Sequence, residues 1–84
     1  MSHSITPGFR AIIEEAERAG LTVRRAASGS VLIIAKVDGR SGNITRGVTL
    51  YPDGVAIDAS VDLSVARGVR RLASVRAMLR LPQA

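Results

Sequence analysis

The run from Ser30 to Val37, Ser-Val-Leu-Ile-Ile-Ala-Lys-Val, constrains this chain more than any other segment. Its apolar residues do not alternate, so neither face of the segment is suited to water. A short run of this kind, bounded by turn residues, reads as a central strand apolar on both sides. A small domain can cover one side of such a strand with its own helices. The other side is then oily, and an oily open face marks a partner surface. A homodimer or another bound partner is expected there, with Val31, Ile33, Ile34 and Tyr51 as the interface residues.

Around this run the period is two. Leu21, Val23 and Arg25 alternate with Thr22, Arg24 and Ala26, and Ser28-Gly29 supplies a turn before Ser30. The segment 38–43 is a loop with two glycines. Ile44, Arg46, Val48 and Leu50 then alternate with Thr45, Gly47 and Thr49. Tyr51-Pro52-Asp53-Gly54 is a strong turn signal, because Pro presets one dihedral and Gly accepts a positive one. Residues 55–60 can add a short fourth strand. Every connection is too short for a crossover helix, so the strands form an antiparallel meander.

A helix is expected on each side of the meander. Thr6 is a capping residue and Pro7 fits the first helical position. Phe9, Ile12, Ile13, Ala16 and Ala19 then recur at helical spacing, and Gly20 ends the helix. The second helix is expected over Val61 to Leu81, capped by Ser60 or Asp62 and stopped by Pro82. Val65, Val69, Leu72, Val75 and Leu79 form its apolar stripe. Gly68 would cost that helix about 1 kcal/mol relative to Ala. The expected fold is α+β, in the order α-β-β-β-(β)-α, with both helices on one face of the sheet. One domain spans residues 1–84, with 1–5 a loose tail.

The formal net charge is +5, and eleven of the twelve basic residues are arginine. A basic small protein attracts polyanions. On the expected second helix Arg67, Arg70 and Arg71 share the face opposite the apolar stripe, which suits phosphate contacts along a duplex backbone. Arg24, Arg25 and Arg46 on the strands, and Arg40 at a loop tip, could extend that surface. Phe9 and Tyr51 are the only aromatics, too few for a stacking platform on single strands. Arg76 falls within the apolar stripe. It either snorkels from the helix end or pairs with an acid such as Asp58.

Catalytic chemistry finds little material. Cysteine is absent, which removes thiolate nucleophiles and Cys-based zinc sites and fits a reducing compartment. His3, the one histidine, falls in the tail. Asp53 belongs to a turn, Asp62 to a cap, and Asp58 is expected to face outward. The glycine loop around Arg40 lacks the strand-to-helix context of a nucleotide-binding loop. No catalytic residue, metal site or cofactor is expected. No signal segment or membrane span is visible, so the expected location is cytoplasmic.

The element order, with Gly20 before the first strand and Ser28-Gly29-Ser30 opening the second, resembles the HicA-type toxin family. That resemblance implies a fold like the double-stranded RNA-binding domain. Family members carry Gly-Ser-His at the start of the second strand, and that His cleaves RNA. Here the matching residues are Gly29, Ser30 and Val31, so the resemblance implies the fold without the activity. The run from Arg46 to Gly54, followed by Asp62 to Ala66, is also similar to small orphan proteins of actinobacterial phages. The expectation is a small non-enzymatic binding protein that engages nucleic acid, or alternatively a module that binds a host protein.

Overall fold

The computed structural model describes residues 5–62 and 64–82. His3, and most of the tail expected over residues 1–5, lie outside them. Helix α1 spans Pro7–Arg18. Thr6 is extended, and its hydroxyl accepts a hydrogen bond from the Phe9 N–H at 3.3 Å, satisfying one orphan donor of the first turn. Phe9, Ile12, Ile13 and Ala16 are buried along one side of the helix. Gly20, with φ +83°, turns the chain out of the helix.

Five strands follow: β1 (Thr22–Arg25), β2 (Val31–Val37), β3 (Ile44–Leu50), β4 (Ala56–Asp58) and β5 (Gly68–Val69). They form one sheet in chain order, each antiparallel to the next. Helix α2, Leu72–Leu79, closes the fold. Residues paired across an antiparallel ladder share a face, so the register sorts the side chains. Val23, Ile33 and Val48 line up on one face, as do Arg25, Val31, Leu50, Ala56 and Val69. The apolar members of these rows meet Phe9, Ile12 and Ile13 of α1 and Val75 and Leu79 of α2 in a single core. Both helices therefore cover the same side of the sheet, as the sequence implies.

The ladder between β2 and β3 is interrupted. Ile34 pairs with Gly47 but Lys36 pairs with Arg46, and Val37 pairs with Ile44. Ala35 and Thr45 are thus the extra residues of two bulges, which bend this end of the sheet.

The C-terminal region departs from expectation. The helix expected over Val61 to Leu81 is confined to its last eight residues before Arg80. The segment before it is a turn-rich connection, within which Gly68 and Val69 pair with Ile57 and Ala56 as β5. Asp62 does not cap a long helix. Its carboxylate accepts the Ser64 N–H at 2.9 Å within a local turn, which holds its pKa below the usual aspartate range. Of the expected stripe, Val75 and Leu79 are buried and Val69 packs against the core from β5, whereas Val65 and Leu72 are exposed. Arg80 ends α2 in the left-handed region, φ 55°.

Candidate functional site

Among the described residues no helix covers the second face of the sheet. Its rows are Thr22, Ile34 and Gly47, and Arg24, Leu32, Thr49, Ile57 and Gly68. Ile44 joins them, because its Cγ2 lies 2.9 Å from where a Gly47 Cβ would stand. Leu32, Ile34, Ile44 and Ile57 are each only partly buried. Val37, at the bulged end, is 49% exposed. These branched side chains form an apolar strip across the central strands. The residues these rows place on the face include no carboxylate. Arginine stands at the β1 edge, where Arg24 shares the row of Leu32.

This geometry corrects the expected interface. Val31 and Ile33 are 4% and 0% exposed and belong to the core beneath the helices, so they are not available to a partner. Ile34 does lie on the open face. Tyr51 is half-buried in the turn after β3, where its N–H donates to Val55 O and its carbonyl accepts from Gly54. Leu32, Ile44 and Ile57 were not among the expected interface residues.

The expected basic helix face is not formed either. Arg67 and Arg70 lie on either side of β5, Arg71 is the residue before α2, and none is helical. Arg70 Nη1 donates to the Asp53 carbonyl at 3.2 Å, tying this segment to the turn before β4. Arg24 lies on the open face, Arg46 sits opposite Lys36, and Arg40 is exposed in the loop after β2. The arginines expected to contact nucleic acid are thus distributed over separate elements.

The loop around Arg40 is committed internally. Asp38 Oδ1 accepts from the Arg40 N–H at 3.1 Å, and Oδ2 accepts from the Ser41 hydroxyl at 3.0 Å. Gly42 N–H donates to the Asp38 carbonyl, and Asn43 N–H to Ser41 Oγ. The Arg40 N–H and the Ser41 hydroxyl hold the Asp38 carboxyl below the usual aspartate range. A carboxylate thus sits where a phosphate-cradling loop would need an anion.

Asp58 shares the helix-side face with Val48 rather than pointing outward, and its Oδ1 accepts both the N–H and the hydroxyl of Ser60. Asp53 accepts the Val55 N–H in its turn. Each of the four aspartates therefore holds a local turn. Among the described residues no three acidic, His or Cys side chains converge as a metal site, and no helix is long and apolar enough to cross a membrane. Val31, which the resemblance to the HicA-type pattern would set at the catalytic position, is buried in the core.

No family model matches the chain, and comparisons with curated proteins and with solved structures likewise return no match.

Proposed function

We propose that this chain is a non-catalytic binding protein whose open sheet face docks a protein partner bearing an apolar patch rimmed by carboxylates. One observation carries the reading: Leu32, Ile34, Ile44 and Ile57 line the side of the sheet that neither helix covers. Covering such surface contributes roughly 25 cal/mol for each Å² removed from water. Branched aliphatics suit a protein surface better than nucleic acid, which asks for aromatics or for a continuous band of cations. The charge of the surroundings selects the partner further. Arg24 flanks the strip on β1, and the chain carries a net charge of +5. A second copy of the chain would bring more guanidinium groups and no carboxylate to the same face, whereas an acidic partner complements it. This reading takes the place of phosphate binding by a helix.

Photo-crosslinking tests the proposal. A benzophenone amino acid at Ile34 or Ile57 is expected to capture a protein with an acidic surface, and the same group at Ala11 or Arg18, on the exposed side of α1, is not. Ile57→Glu should remove the adduct formed from position 34. Adducts to nucleic acid, adducts only to a second copy, or yields no higher than those from α1 would overturn it.

A further inference from the structure

Strand β1 is an edge of the sheet, and among the described residues no strand pairs with its outer side. The Ala26 N–H donates to the Ser30 carbonyl at 2.9 Å, which sets the phase of the hairpin. By the antiparallel alternation Arg24 and Thr22 turn their backbone groups toward β2, and Val23 and Arg25 turn theirs outward. Two N–H and two C=O groups therefore form a template along this edge.

Beside the edge lies a groove of about 300 Å³. Its floor is Ile5, Ile13 and Val31, and its rim is Arg10, Glu14 and Glu17 of α1 with Arg25 of β1, two cations and two carboxylates. Arg25 contacts Glu17 at 3.6 Å, an exposed pair that screening makes weak. The groove thus lies between α1 and the strand, on the helix side of the sheet.

We propose that the β1 edge and this groove together dock an extended peptide in which acidic residues alternate with branched aliphatic ones. The peptide would add a sixth strand, with main-chain hydrogen bonds supplying affinity and alternate side chains supplying specificity. A residue opposite Arg24 shares the open face with that guanidinium, which has no carboxylate within ion-pair distance among the described residues. An acid there gains a cross-strand pair. Residues opposite Val23 and Arg25 point to the helix side, where the apolar floor accepts an aliphatic side chain. The charge pattern also selects against self-pairing, since a second β1 would bring its own Arg24 and Arg25 to an edge that already carries both.

The site shares Arg24 with the open face but not its apolar strip, and the test separates them through Ile57. A fluorescein-labelled heptapeptide alternating valine and glutamate, with blocked ends, is titrated against the full chain beside its valine–lysine counterpart. The glutamate peptide is expected to bind saturably and at least tenfold more tightly, and to slow amide exchange at Val23 and Arg25. Arg24→Glu should invert the preference, and Ile57→Glu, which disables the open face, should leave peptide binding unchanged. General attraction of a cationic chain for any anionic peptide would leave the Arg24→Glu preference as before, and that result would overturn the proposal. Absence of saturable binding, or binding without protection of Val23 and Arg25, would overturn it equally.

Discussion

Arg76 of α2 is ion-paired with Glu15 of α1, and the same nitrogen, Nη1, donates to the Pro82 carbonyl at 2.9 Å. The side chains are 16% and 24% exposed, so this pair is far better shielded than the exposed pair of Arg25 with Glu17. It explains an arginine within an apolar stripe. The guanidinium joins the two helices on the outer side of the core and holds the chain beyond α2. The partner is an acid of the first helix, not of the sheet.

Removing one member strands a partly shielded charge. Arg76→Ala is expected to cost about 1–2 kcal/mol, between the small values of exposed pairs and the larger ones of buried pairs. Glu15→Gln should cost less than Arg76→Ala, because the Pro82 contact survives. A double-mutant cycle read by urea denaturation should give a coupling energy well above that for Arg25 and Glu17. Equal couplings for the two pairs would contradict this.

Gly68→Ala separates two accounts of the C-terminal region by the sign of its effect. In a long helix over Val61 to Leu81 the change would stabilise by about 1 kcal/mol. In β5 an added Cβ would stand 2.7 Å from Val55 Cγ1, closer than atoms of this kind approach. Val55 is stiff at χ1, so the strand must shift, and a loss of about 1 kcal/mol is expected by thermal denaturation.

That position also shows where sequence reasoning stops. Helix α1 was legible because Thr6, Pro7, its apolar spacing and Gly20 all agree. The meander was legible from period two and its turn residues. Val65, Val69, Leu72, Val75 and Leu79 keep helical spacing too, yet only the last three lie in α2. The ladder of β5 with β4 won over a weak propensity, in a stretch rich in valine with a glycine at its centre. Gly68 was the available warning. The interface differs from expectation for another reason. A strand apolar on both sides hides its own parity, so Val31 and Ile33 could not be told from Leu32 and Ile34 until the helices were placed. Ile44 reaches the open face through a bulge that no local pattern announced.

Thr6 tests the start of α1. Thr6→Ala removes the acceptor of the Phe9 N–H and should lower stability by about 1 kcal/mol, whereas Thr6→Ser should cost much less. Equal losses for the two would assign the effect to the methyl group, whose Cγ2 lies 3.8 Å from where a Gly54 Cβ would stand.

Asp38 gives the fold an acid-side pH dependence. The Arg40 N–H and the Ser41 hydroxyl depress its folded pKa, so the unfolded chain binds the proton more readily. Its contribution is complete above the unfolded-state pKa and fades as pH falls through the lower folded value. Asp38→Asn should therefore flatten stability against pH on the acid side and leave the neutral-to-basic limb unchanged in shape. Carboxyl NMR titration should place Asp38 below an aspartate in an unstructured peptide. A value at or above that reference would contradict the loop geometry.

The central claim is that the sheet has one sealed face and one bare face. Methyl relaxation by a soluble paramagnetic agent, recorded on dilute protein, reads this directly. The account predicts strong relaxation at Leu32, Ile34 and Ile57 and protection at Val31, Ile33 and Leu50. Protection of Ile34 and Ile57 together with relaxation of Val31 and Ile33 would place the helices on the other side of the sheet and contradict it.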